Sequence, residues 1–178
     1  MGKGALAILA RNNPFATFFR PLKKKDVMKI SDYLDPRLVV FLTAENRDSS
    51  IEILIDRLDS EGKLEDKRIF RDAILYREGL VSTGIGMGIA VPHAKMKNIE
   101  EFFIVVGLQQ AQGIEWNSLD KVPVRIIFMI GGPDDKQTEY LQILSMLTSA
   151  IRSVDLRKKL LKATSSKEVV DLFINALP

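Results

Sequence analysis

Cysteine is absent from the 178-residue chain. Its absence excludes disulfides, thiolate metal sites, iron–sulfur clusters and cysteine nucleophiles, and it suits a reducing cytoplasm. Histidine occurs once, as His93, which excludes a histidine-rich metal site or a two-histidine relay within one chain. No apolar run approaches the ~20 residues needed to span a bilayer, so no membrane span is expected. A strong surplus of one charge is also lacking. The 26 Lys+Arg against 23 Asp+Glu give a formal +3, too weak a field to call for a nucleic-acid partner.

What is present builds a globular core: 46% of the residues are hydrophobic and 28% charged, proportions of a folded chain of one domain. Charge divides the chain near residue 26. No acid precedes Asp26, whereas Lys3, Arg11, Arg20, Lys23, Lys24 and Lys25 are basic. Residues 1–25 therefore read as a basic accessory extension and 26–178 as the domain. The apolar stretch 5–10 is too short for a signal peptide, and Leu6 stands where a myristoylation site has Ser or Thr. Phe15, Phe18 and Phe19 are expected to pack on another surface, such as a neighbouring subunit, which offers a route to an oligomer.

From Asp26 onward strand-like and helix-like segments alternate. Residues 38–42, 102–108 and 122–130 are near-continuous apolar runs and read as buried strands, the last broken by Gly131, Gly132 and Pro133. Ile51, Leu54, Ile55 and Leu58 form one helical stripe, with Gly62 as its stop. Asp66 caps a second helix whose inward face takes Ile69, Phe70, Ala73 and Ile74, and Gly79 ends it. Leu141, Leu144, Leu147 and Ile151 define a third helix, and Ser165 with Glu168 forms a capping box before a last one ending near Ala176. The expected fold class is α/β (α+β): a single domain with a mixed β-sheet flanked by helices.

The chemistry concentrates in residues 77–94, REGLVSTGIGMGIAVPHA. Gly79, Gly84, Gly86 and Gly88 lie within ten positions. A phosphate-binding P-loop would need a Gly-Lys-Ser/Thr ending, and the dinucleotide fingerprint spaces its glycines differently and leaves a strand instead of entering one. Neither a nucleotide nor any other cofactor or metal is expected. Pro92 fixes its own φ and removes a backbone donor, which places His93 at the end of an 89–91 strand. A neutral imidazole is nucleophilic and suits phosphoryl acceptance. The product would need N–H and cationic donors, which the loop amides around Gly84, Gly86 and Gly88, the hydroxyls of Ser82 and Thr83 and an arginine can supply.

Glu78, then Ile85-Gly86 after a six-residue gap, then Ile89-Ala90-Val91-Pro92-His93-Ala94 resembles the phosphohistidine signature of the type 2 EIIA domain. That is the fructose/mannitol/nitrogen-regulatory class of the bacterial phosphoenolpyruvate-dependent phosphotransferase system. Gly113-Ile114, Asp120 and Pro123-Val124 resemble the family more loosely. The resemblance implies a mixed sheet flanked by helices and a phosphoryl group accepted on His93 from the phosphocarrier HPr or its nitrogen paralogue. It implies that Arg77 stabilises the phosphoryl oxygens, whereas read alone Arg77 is a cation complementing a helix C-terminus.

One position departs from the family. Where many members have a second active-site histidine, this chain has Tyr140, a neutral hydrogen-bond donor without imidazolium charge. Cysteine-based EIIB and membrane EIIC parts are not found in this sequence, so the resemblance is to a stand-alone EIIA unit. The 77–93 run is most similar to the nitrogen-regulatory type, which signals by phosphorylation-dependent protein binding. A separate sugar-specific EIIA passing the group to an EIIB is the alternative, and a non-phosphorylated binding regulator of the same fold is a further one. Lys95, Lys97 and Glu139 read either as docking residues or as ordinary solvated charge.

Overall fold

The structure, a computed structural model, describes residues 28–176. The expectations for the 1–25 extension, including the packing of Phe15, Phe18 and Phe19, lie outside the described residues. A turn of 3-10 helix, Ile30–Tyr33, leads into β1 (Leu34–Leu42), α1 (Arg47–Ser60) and α2 (Lys67–Leu80). Three short strands follow, β2 (Gly84–Gly86), β3 (Ile89–Ala90) and β4 (His93–Met96), then the longer β5 (Phe103–Gln109) and β6 (Ile126–Pro133). Helices α3 (Gln137–Ile151), α4 (Val154–Leu160) and α5 (Ser166–Ala176) complete the chain.

The strands form one mixed sheet in the order β1-β5-β6-β3-β2, with β4 also paired to β6. β1 runs parallel to β5, β6 antiparallel to β5, and both β3 and β4 parallel to β6. Side-chain alternation along the strands sends residues to two cores. Ile104, Val106, Ile126, Phe128 and Ile130 face α3, α4 and α5, while Phe103, Val105, Ile127 and Met129 face α1 and α2. Each such side chain, fully buried, contributes roughly 1.5–3 kcal/mol of transfer free energy. The result is the expected single α/β domain, with helices on both faces of a mixed sheet.

Local chemistry sets the helix starts. Asn46 and Asp66 accept the N–H groups of Ser49 and Ile69 at the heads of α1 and α2. Ser153 caps α4, a helix the sequence reading did not single out. At α5, Ser165 accepts from the Glu168 N–H as expected, but the Glu168 carboxylate reaches back to the N–H of Thr164, not to that of Ser165.

Several expectations are corrected. Gly131, Gly132 and Pro133 do not break the strand; β6 runs through them and begins at Ile126, not Val122. The reason is tertiary. A Cβ on Gly131 would meet the Phe103 ring at 2.2 Å, and one on Gly132 the Phe102 ring at 1.9 Å, so the glycines admit two aromatic rings over a continuous strand. Gly79 does not end α2, which continues through Leu80. Ile69 is 45% exposed, because the buried stripe of α2 is Phe70, Ile74 and Glu78, spaced by four. Leu141 is 54% exposed, because α3 is turned so that Tyr140, Ile143 and Leu147 face inward.

Candidate active site

Pro92 interrupts what would otherwise be one strand beside β6. It has no N–H to give the ladder, and the pairing of β3 with β6 resumes only at His93, opposite Ile130. His93 therefore opens β4; it does not close the 89–91 strand. The N–H of Val91 turns instead to the carbonyl of Thr83 at 3.0 Å. The Val91 carbonyl is left to face the histidine ring, 2.9 Å from Nδ1. A carbonyl oxygen only accepts, so Nδ1 carries the proton.

The other ring nitrogen meets Arg77. This residue lies in the last turn of α2, whose buried stripe belongs to the core on the opposite face of the sheet from α3. Its Nε donates to Nε2 of His93 at 3.1 Å, and its Nη1 donates to the Val81 carbonyl at 2.8 Å. Arg77 thus meets both the carbonyl at the end of α2 and the histidine ring. Nε2 accepts, so its lone pair points at the guanidinium. Burial holds the His93 pKa below that of an ordinary imidazole; the charges of Arg77 and Lys95 act in the same direction, and the Val91 carbonyl and Glu78 oppose them. The ring is neutral near pH 7.

Tyr140, 6% exposed, lies beside the His93 ring in the first turn of α3 and is not among the residues that line the adjoining cavity. Its ring lies 5.7 Å from that of His93, tilted by 45°, and stacks on Phe102 at 6.2 Å. Lys95 Nζ sits 5.1 Å from the Tyr140 ring centroid and bonds to Gln137. Burial pushes the Tyr140 hydroxyl up to about 12, so it keeps its proton and remains a donor.

A cavity of about 510 Å³ opens beside these groups. Its walls include Arg77, Ser82, Thr83, Ile85, His93 and Leu141. The sequence-predicted residues separate here. Ser82 and Thr83 reach the cavity wall, but their hydroxyls are already engaged, with the Trp116 carbonyl at 2.5 Å and with Glu78 respectively. Gly84, Gly86 and Gly88 are not among its lining residues. Met87 and Gly88, both at positive φ, form the two-residue turn between β2 and β3, the backbone pattern of a type I′ hairpin. Asp120 accepts the Met87 N–H at 2.7 Å, and Gly84 N donates to Ser82 Oγ at 3.1 Å. Glu139 accepts from the Tyr33 hydroxyl at 2.9 Å, which ties α3 to the start of the domain. Sequence reasoning assigned no part to the Val91 carbonyl or to Phe102. The Pro92-His93 pair is the one signal that pointed towards the first.

The family model described as "Phosphoenolpyruvate-dependent sugar phosphotransferase system, EIIA 2" matches residues 32–176. The chain belongs to this EIIA 2 family. It is similar to the fructose-specific EIIA component of Haloferax volcanii, 36% identical over 71% of this chain and 81% of that one. It is similar to the fructose-specific EIIABC component of Bacillus subtilis at 34%, over 82% of this chain but only 23% of that longer protein. The nitrogen regulatory protein of Bradyrhizobium diazoefficiens is 24% identical over 85% of this chain and 97% of its own length. Among solved structures, the nitrogen regulatory protein IIA-Ntr of Neisseria meningitidis superposes with a TM-score of 0.74, covering 81% of this chain and 98% of that one at 23% identity, a likeness of fold. As an EIIA 2 member, the chain has helices of which none, among the described residues, is long and apolar enough to cross a membrane.

Proposed function

We propose that His93 accepts a phosphoryl group through Nε2 from the phosphohistidine of an HPr-like carrier protein. The observation that carries this reading is the state of the ring. Val91 holds the Nδ1 proton, so Nε2 presents its lone pair toward Arg77 at the mouth of an open cavity. In the transfer, the Nε2 lone pair forms a bond to phosphorus as the donor's N–P bond breaks and its electron pair returns to the donor imidazole. Nδ1 keeps its proton, and the Val91 carbonyl stabilises the positive charge that develops on the ring. The Arg77 guanidinium gives up its bond to Nε2 and neutralises the phosphoryl oxygens. Tyr140, as a protonated neutral donor, takes the place that a second histidine holds in other members. Positioning and charge stabilisation are the main demands of phosphoryl transfer. The donor supplies an activated phosphoryl group, so no metal or nucleotide enters.

A protein donor fits the rim, where the cavity-lining Ile85 and Leu141 are exposed apolar side chains. Phosphoryl acceptance in the cytoplasm agrees with a cysteine-free chain, with residues 1–25 as an accessory extension to the phosphoacceptor domain. Downstream, delivery to an EIIB domain is favoured by identities of 34% and 36% to fructose-specific components, against 24% to a nitrogen regulatory protein. Phosphorylation-dependent binding to a target protein is the second reading, favoured by the 77–93 run. To test the acceptor role, the protein is incubated with phosphoenolpyruvate, enzyme I and the phosphocarrier, and an acid-labile mass gain of one phosphoryl group is expected. The gain should vanish in His93→Ala. Phosphoryl uptake by that variant would overturn the assignment, and no uptake by the unaltered protein would leave a binding regulator. Adding an EIIB domain, and following the label to its cysteine, separates the two downstream fates.

A further inference from the structure

Behind the reactive ring lies a buried acid for which the phosphoryl step has no use. Glu78 is 3% exposed and sits one residue after Arg77. A carboxylate removed from water costs several kcal/mol unless its oxygens are satisfied. Both oxygens of Glu78 turn to one residue: Oε1 accepts the Thr83 N–H at 3.0 Å, and Oε2 accepts the Thr83 hydroxyl in a short bond. The same hydroxyl oxygen receives the indole N–H of the fully buried Trp116 at 3.3 Å. From Thr83 the connection continues outward. Its carbonyl accepts the Val91 N–H, and the Val91 carbonyl accepts the Nδ1 proton of His93.

We propose that Glu78 is a positioning residue for His93, acting through Thr83 and Val91 to hold the imidazole as the tautomer with Nε2 free. The donor pattern explains why the position needs a carboxylate. The Trp116 indole can only donate to the Thr83 oxygen and the Glu78 carboxylate can only accept, so the Thr83 hydroxyl proton is directed to Glu78. The Thr83 N–H also points there. Two donors converge, and only a group with two acceptor oxygens meets both. A glutamine in one flip sets its NH₂ against the Thr83 N–H, and in the other it must donate to the Thr83 oxygen, so that the hydroxyl proton loses the acceptor it now has; at this depth no bulk water relieves either mismatch. The negative charge of Glu78 also offsets the charges of Arg77 and Lys95 at the ring.

The single histidine makes this measurable without assignment ambiguity. The protein is labelled with ¹⁵N-histidine, and its two ring nitrogen shifts are read at about pH 8, above an ordinary imidazole pKa of ~6.5. The unaltered protein should show Nδ1 protonated and Nε2 bare. In Glu78→Gln the tautomer ratio should move toward Nε2–H by roughly tenfold, the worth of about one hydrogen bond. Phosphoryl uptake should slow roughly 10- to 100-fold, as when a histidine loses its orienting partner. Thr83→Val keeps the backbone N–H to Glu78 and should produce the same change in smaller degree. If Glu78→Gln does not fold, Thr83→Val decides alone. Folded variants with the original tautomer ratio would overturn the proposal. The part concerning rate rests on the acceptor role of His93, whereas the tautomer is read with no phosphoryl donor present, so the two readings fail separately.

Discussion

Two neighbouring stretches of the 77–94 segment behave in opposite ways. In the β2–β3 hairpin, Gly84 through Gly88, two backbone N–H groups find side-chain partners within the domain. Gly84 N goes to Ser82, Met87 N goes to Asp120, and the positive φ values of Gly86, Met87 and Gly88 make a tight turn. In the three residues Val91 to His93 the backbone ladder is broken by proline, a carbonyl is diverted to a ring nitrogen, and one lone pair is left facing a guanidinium at a cavity. The glycine pattern catches the eye first in the sequence, yet it serves the architecture. The proposed chemistry falls where a hydrogen bond, that of Arg77 to Nε2, faces a cavity and can be given up to an incoming group, and there the sequence offers only a Pro-His pair and an arginine sixteen residues earlier.

The strongest way to break this comparison is to remove the open partner. Arg77→Ala should slow phosphoryl uptake about 100-fold, the usual cost of losing one preorganised charge-stabilising donor. Its melting temperature should change little, since the guanidinium bonds are made to a ring nitrogen and one helix-terminal carbonyl. Single-turnover transfer from the phosphocarrier, alongside calorimetry, checks both. The converse variant is Gly86→Ala. A Cβ there sits at φ +90° and 2.8 Å from an Asp120 carboxylate oxygen, which should cost about 1–3 kcal/mol of stability in denaturant unfolding. The folded fraction should transfer at nearly the original rate. Equal kinetic damage from the two variants would erase the distinction between hairpin and site.

The same contrast explains what could be read from the sequence. Apolar runs and caps mark β1, β5, α1 and α2 because those signals are local: a stripe, an Asp66, a Gly62 at φ +66°. Gly131 and Gly132 misled because their meaning is set by Phe102 and Phe103, some thirty residues away in the chain, whose rings lie across β6. Leu141 and Ile69 misled because helical spacing fixes a face only to within one residue, and packing chose the face that buries Tyr140 and Glu78. The pairing of Arg77 with His93 could be anticipated only through resemblance to a family. Periodicity holds no information that the end of α2 meets the start of β4. The Glu78–Thr83–Val91 chain was hidden because burial, not residue type, gives the acid its importance.

Tyr140 offers a smaller test. Its ring already belongs to the core through Phe102, so Tyr140→Phe should leave stability almost unchanged. If the hydroxyl donates to the phosphoryl group, transfer should slow severalfold, in line with one neutral hydrogen bond of about 1 kcal/mol. Unchanged single-turnover rates would reduce Tyr140 to a packing residue. Tyr140→His asks the reverse: a faster variant would mean that an imidazole does better at this position than the phenol.

Acidification should give the mildest effect, and its sign follows from the buried ring. The folded His93 has a pKa below the unfolded value of ~6.5. Between those two values the unfolded chain binds a proton that the folded protein refuses. The contribution of this residue to stability is therefore complete above about pH 6.5 and declines as pH falls toward the folded pKa, below which it levels off. Transfer should follow a different boundary. Nε2 remains unprotonated down to the folded pKa, so uptake should persist at pH values where an exposed imidazole is already charged. An NMR titration of the one histidine, compared with the pH dependence of single-turnover uptake, should give the same midpoint from both. A midpoint at or above that of a free imidazole would mean that the ring is as open to water as the hairpin is closed, and the contrast between the two stretches would then lie in hydrogen bonding alone.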